Sequence, residues 1–260
     1  MALIAIETST ASCGVAIMST PVEGNASPDV LYECDEILER THSRMLLPMI
    51  QRAMARTGLE ARGVEAIAVS SGPGSFTGVR IGVATAKGLA VAWDVPVVTI
   101  GSLEVMAANA PEGSIACPVV DARRGLFYSC LYRIVSGPGT EELQPVGVYP
   151  LEEIVARAAS SLQAHDQTGV RVVFMGDAVG RLEDKIVTLP RDRWVIAPAA
   201  MALPRSATLG YLAAAAWRRG TISSAEAALP TYVRRSDAEE KRESLLPGRV
   251  LGWRDWSSQR

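Results

Sequence analysis

The sequence predicts a duplicated α/β protein, and three observations carry that prediction. The chain opens with an apolar run ending in an acid (Met1 to Glu7), a small polar turn (Thr8 to Ser12) and a second apolar run (Cys13 to Met18). The same layout returns at Ile115 to Val120, Asp121 to Gly125, and Leu126 to Val135. Short apolar runs bounded by turn residues read as strands, and turns this short join them as hairpins. Between the two layouts, Ser70-Ser71-Gly72-Pro73-Gly74-Ser75-Phe76-Thr77-Gly78-Val79-Arg80 links the apolar run Val64 to Val69 to the apolar stretch Val79 to Trp93. Glycines and a proline there supply a turn between strand and helix that lets other backbone come close.

The remaining elements follow in order. Pro21 to Pro28 reads as a loop and Val30 to Leu38 as a third strand. A helix starts near Thr41 to Ser43 and stops before Gly58. Its apolar residues Met45, Leu46, Leu47, Met49, Ile50, Ala53 and Met54 cover more than one stripe, so one face packs on the sheet and another is available to something else. Val95 to Ile100 is a buried strand, and a second half begins around Gly101 to Pro111. Pro138, Gly139, Pro145, Gly147 and Pro150 mark a loop around a polar stretch. Leu151 to Leu162 is an amphipathic helix, Val170 to Met175 a strand turned at Gly176-Asp177, and Ala178 to Val187 helical. A strong helix runs from Ser206, its candidate cap, to Arg219, with Gly220 as the stop. From Leu229 the chain is extended through Pro230-Thr231-Tyr232-Val233 and then becomes charged.

In the helix after the Gly-rich turn, Gly78, Gly82, Ala86 and Ala90 fall every fourth residue, with Ala84, Gly88 and Ala92 as a second row. Residues so spaced share a helix face. Glycine inside a helix costs about 0.8–1 kcal/mol relative to alanine, a cost that close packing offsets. Packing within one domain and packing between subunits both satisfy this pattern.

Composition narrows the function classes. The 260 residues carry 48% hydrophobic and 21% charged side chains and a net charge of −2, an ordinary globular balance without bulk attraction to polyanions. No basic segment precedes the first apolar run, and Val79 to Trp93 is too short to span a bilayer, so a cytoplasmic protein without membrane contact is expected. Cys13, Cys34, Cys117 and Cys130 show no CxxC spacing and read as reduced, isolated residues.

An acid ending a first strand, followed by small polar residues, can hold a phosphate and its metal. Glu7 with Thr8 and Ser9 fits that description, with Asp121 as its counterpart; a turn left over from an ancestral nucleotide fold fits it equally. Arg123 and Arg124 would crowd a close phosphate approach, although they can pair with an anion. His42 and His165 stand far apart with no ligand pattern around them, His42 reading as a capping or surface residue, and no Gly-x-Ser-x-Gly elbow is present. No catalytic or metal residue is assigned.

Ile6-Glu7-Thr8-Ser9, His42-Ser43-Arg44-Met45-Leu46-Leu47-Pro48, the Ser71 to Gly82 stretch, Gly88-Leu89-Ala90, Asp121-Ala122-Arg123-Arg124-Gly125 and Pro230-Thr231-Tyr232-Val233-Arg234 together resemble the TsaB family, over most of the chain to about Arg242. The resemblance implies a two-domain actin-like ATPase (ribonuclease H-like) fold, with domains at 1–104 and 105–235, the last helix packing back on the first domain, and a charged tail at 236–260. It implies a non-catalytic, activating subunit in the bacterial modification that places threonylcarbamoyl on adenosine beside the tRNA anticodon. The implied partners are a TsaD-like transferase as heterodimer and a TsaE-like ATPase, with a homodimer when the chain is alone and tRNA met through the complex. No cofactor is implied for the chain itself, and ATP or ADP is expected only within the complex. The family's pairing surface uses the first two helices, about 42–57 and 78–93 here, which marks Met45, Met49, Arg52, Gly78, Gly82, Thr85, Ala86 and Leu89. Gly82→Leu or Ala86→Arg is then expected to block assembly and leave the fold intact. The sibling transferase's His-x-x-x-His metal motif falls on Ser102 and Met106, which cannot replace it. Against the family pattern, the Pro21 to Pro28 loop is long and the tail after Arg242 is extra, both read as surface elaborations. A stand-alone actin-like ATPase or phosphotransferase, using Glu7 and Asp121, is the rival reading, and a metallopeptidase a weaker one.

Overall fold

The structure, a computed structural model, describes residues 2–19, 28–38, 41–136, 139–165 and 169–233. The first five strands are β1 (Ala2–Glu7), β2 (Ser12–Ser19), β3 (Val30–Ile37), β4 (Val64–Ser70) and β5 (Val97–Ile100). They form a sheet in the order β3-β2-β1-β4-β5, in which β1, β2 and β3 are antiparallel and β4 and β5 run parallel to β1. The second sheet contains β6 (Ile115–Asp121), β7 (Phe127–Val135), β8 (Gly139–Tyr149), β9 (Val172–Met175) and β10 (Trp194–Ile196), in the order β10-β9-β6-β7-β8. Its pairings repeat the first sheet strand for strand, antiparallel through β6, β7 and β8 and parallel through β6, β9 and β10. The repeat expected from the two hairpins is therefore a repeat of whole sheets, and the fold is the actin-like α/β fold.

β1 is buried at all six positions, as a central strand covered on both faces must be. On one face Ile4 and Ile6 meet α1 (His42–Thr57) and α2 (Phe76–Trp93) through Leu46, Met49, Ile50, Val79, Val83 and Ala86. On the other, Leu3 and Ala5 meet Leu209, Leu212, Ala213 and Ala216 of α7 (Ser206–Arg218), so this late helix covers the first sheet. The short α3 (Ser102–Ala107) ties the halves together. Its Val105 joins the α7 side of the first sheet, while Leu103, Met106 and Ala107 pack with Ala116, Val120 and Cys130 of the second. α4 (Leu151–Ala164) covers the far face of the second sheet through Ile154, Val155, Ala158 and Leu162.

Several expectations need correction. The stretch from Gly139 to Tyr149 is a strand, not a loop. It lies at the sheet edge, and its pairing with β7 shifts register between Leu131, opposite Gln144, and Ser129, opposite Gly147. Pro145 falls inside that shift, one of the few places where a strand accepts a residue without an N–H. Ser206 does not cap α7: it is the first helical residue, and its own N–H donates to Asp35 Oδ1 at 3.1 Å. Ala207 N–H donates to Glu33 Oε1 at 3.3 Å, so two acids of β3 cap α7 from outside its own sequence. Ala178 to Val187 divides into a 3-10 turn (Val179–Arg181) and the single-turn α5 (Glu183–Ile186). α2 begins three residues before Val79, at Phe76, with the Ser75 hydroxyl accepting the Gly78 N–H at 3.3 Å. The 21–27 part of the expected loop, Arg234 and the 236–260 tail lie outside the described residues. Among those residues no helix is long and apolar enough to cross a membrane.

Candidate functional site

The expected phosphate turn after β1 is closed by the protein's own chain. Glu7 is fully buried, and one carboxylate oxygen accepts the Ser9 N–H at 2.6 Å and the Ser9 hydroxyl at 2.5 Å. The other oxygen accepts the Ser70 hydroxyl. Burial pushes the Glu7 carboxyl above the ordinary range, and the bonds from Ser70 and Ser9 oppose that shift. The Gly-rich loop then packs directly on the turn. Ser75 N–H donates to the Ser9 carbonyl at 2.7 Å, and the Thr8 hydroxyl donates to the Gly78 carbonyl at 2.8 Å. A Cβ at Gly74 would stand 2.1 Å from the Ser9 carbonyl oxygen, one at Gly78 2.1 Å from the Thr8 carbonyl oxygen, and one at Gly82 2.2 Å from Thr8 Oγ1. Glu7, Thr8 and Ser9 therefore form an internal lock, and the open cradle read from the sequence is not there.

The chain's late extended segment meets the same loop. Thr231 N–H donates to the Ser71 carbonyl at 2.7 Å. Arg80 Nε donates to the Tyr232 hydroxyl at 2.7 Å, and its guanidinium lies 3.7 Å from the Phe76 ring centroid. Two motifs far apart in sequence are thus one surface feature, a link that no periodicity could have shown.

The expected pairing residues divide by the side of the helix they occupy. Met49, Gly78, Gly82 and Ala86 are buried against their own sheet, which corrects their reading as an accessible surface. Met45, Thr85 and Leu89 are half-buried, and Arg52 is exposed and paired with Glu36 at 2.7 Å. The outward face of α2 is the second small-residue row, Ala84, Gly88 and Ala92, with Val91 68% exposed; on α1, Leu47 is 48% exposed. A Cβ at Gly88 meets no atom within 4 Å. The smooth face turned outward is thus the row beside the one first singled out.

Among the described residues no three His, Cys, Asp or Glu side chains stand close enough to hold a metal ion. His42 is buried rather than on the surface, its Nε2 3.2 Å from the Ser12 carbonyl oxygen, and His165 Nδ1 lies 3.0 Å from the Ser161 carbonyl oxygen. Ser102 and Met106 are buried in α3.

Asp121 ends β6 in a different setting. Its Oδ1 accepts the Arg123 N–H at 2.7 Å, its Oδ2 lies 3.3 Å from Arg181 Nη2, and its own N–H donates to Asp177 Oδ1 at 3.2 Å. Arg123, Arg124 and Gly125 all have positive φ, at 69°, 55° and 72°.

A duplicated actin-like fold, with one hairpin turn locked by a Gly-Pro-Gly loop and a smooth helix face turned outward, defines the class. The family model described as "TsaD: tRNA N6-adenosine threonylcarbamoyltransferase" matches residues 35–242. The tRNA threonylcarbamoyladenosine biosynthesis protein TsaB of Bacillus subtilis is 28% identical over 242 residues, 93% of this chain and 97% of that protein. TsaB of Haemophilus influenzae is 40% identical over 131 residues, about half of each chain (49% and 52%). Among solved structures, YeaZ from Pseudomonas aeruginosa superposes with a TM-score of 0.72 at 29% identity, covering 89% of this chain and 99% of that one. The chain belongs to the TsaB family, within the wider family that the TsaD model describes.

Proposed function

We propose that this protein serves tRNA threonylcarbamoyladenosine biosynthesis as a non-catalytic subunit that binds and activates a TsaD-like transferase, with a TsaE-like ATPase joining the complex. The observation that carries the reading is the near end-to-end match to a TsaB protein, 93% of this chain against 97% of that one. Two structural features support it. The first hairpin turn, where an actin-like ATPase would take phosphate, is filled by Gly74 and Gly78, which weighs against independent nucleotide chemistry. The outer face of α1 and α2, with Leu47, Ala84, Gly88 and Val91 beside the half-buried Met45, Thr85 and Leu89, offers a flat apolar surface for close helix packing. Domain limits near 104 and 235 belong to the same proposal. Mixing the chain with a TsaD-like transferase and measuring mass by light scattering tests it: a stable one-to-one pair is expected, and two independent peaks at micromolar concentration contradict the proposal.

A further inference from the structure

The duplicated fold contains the same hairpin turn twice, and the two copies differ in what faces them. The first is packed by the Gly-rich loop, whereas a Cβ at Gly125 in the second meets no atom within 4 Å. The second turn follows Asp121, where β6 has the parallel β9 on one side and the antiparallel β7 on the other. Such a change of direction at the carboxyl end of a strand is where open α/β sheets bind ligands. Arg123 and Arg124 hold left-handed backbone there, which is unfavourable for residues with a Cβ and is tolerated best by Gly, Asn and Asp. The guanidinium of Arg123 is 80% exposed and 4.0 Å from Asp121 Oδ2. Arg181, 57% exposed, reaches the same oxygen from the 3-10 turn after β9. Three arginines thus gather at Asp121 and Asp177, leaving a local excess of positive charge on a chain of net charge −2.

Guanidinium forks match phosphate oxygens in pairs. A mononucleotide held between two facing turns would also need the first one, which is closed. A polyanion lying across the surface needs only the exposed arginines. We infer that Arg123, Arg124 and Arg181 contact backbone phosphates of RNA, an inference that rests on the role in tRNA modification proposed above.

The double variant Arg123→Asn, Arg124→Asn tests it, because asparagine accepts the left-handed backbone and keeps the turn. Binding of unmodified tRNA to the complex with the transferase is measured across a salt series. The expected result is an affinity about tenfold weaker at low salt and a log-log salt slope reduced by about one for each phosphate no longer held. Equal affinity and slope for wild type and variant would overturn the site. Displacement of bound tRNA by ATP, with ATP binding abolished in the variant, would overturn the assignment to RNA in favour of a mononucleotide. Whether modification requires the wild-type chain at all is a separate readout, so failure of the proposed function and failure of this site are distinguishable.

Discussion

Gly74, Gly78 and Gly82 lie on one side of the contact between α2 and the turn after β1, with oxygens of Thr8 and Ser9 on the other. The every-fourth spacing of Gly78 and Gly82 was legible in the sequence, but not what it faces, because close packing inside a domain and close packing between subunits require the same small residues. Gly74→Ala is expected to destabilise the protein by about 1–3 kcal/mol, as overpacking does, read as a lower urea midpoint with an unchanged slope. An unchanged midpoint would mean that the lock is loose. Gly82→Leu is accordingly expected to damage the fold, not merely the assembly. A second residue-scale prediction concerns Asp35. Burial and the neighbouring Glu33 push its carboxyl from 3.8 up to about 7. The folded protein then holds a proton that the unfolded chain has released, so this group's contribution to stability falls as pH rises from about 4 to about 7 and stays low above that. Asp35→Asn keeps an acceptor for the Ser206 N–H and removes the titration. Its stability is expected to fall less than that of wild type between pH 5 and pH 8, and parallel curves would contradict the shift.

At the scale of elements, helices and inner strands were legible because their apolar periodicity is strong, as in α1, α4 and α7. The β8 strand was not, since an edge strand tolerates the prolines and polar residues that otherwise signal a loop. The external caps on α7 were not legible either: Glu33 and Asp35 lie about 170 residues earlier, and a local search could only nominate Ser206. The α2 helix yields the sharpest element-scale prediction because its two small-residue rows face opposite ways. Gly88→Leu and Val91→Arg, on the open side, are expected to change stability by no more than about 0.5 kcal/mol and to weaken association with the transferase at least tenfold. Normal association by both variants, measured by titration calorimetry, would remove this face from the interface.

For the whole molecule, the duplication was visible in the sequence as two strand–acid–turn–strand openings, and the structure extends it to five strands in each half. What the sequence concealed is the divergence of the halves. One turn is locked by a Gly-Pro-Gly loop that the chain itself supplies, and the other is open and lined by arginines; that difference appears only when distant segments are brought together. The same divergence favours partner binding and RNA contact over nucleotide chemistry on this chain. The most direct test is a reconstitution with unmodified tRNA, threonylcarbamoyl-AMP and a TsaD-like transferase, with and without this protein. Modification is expected only when both proteins are present, and none from this chain alone. Equal modification by the transferase by itself would contradict the activating role.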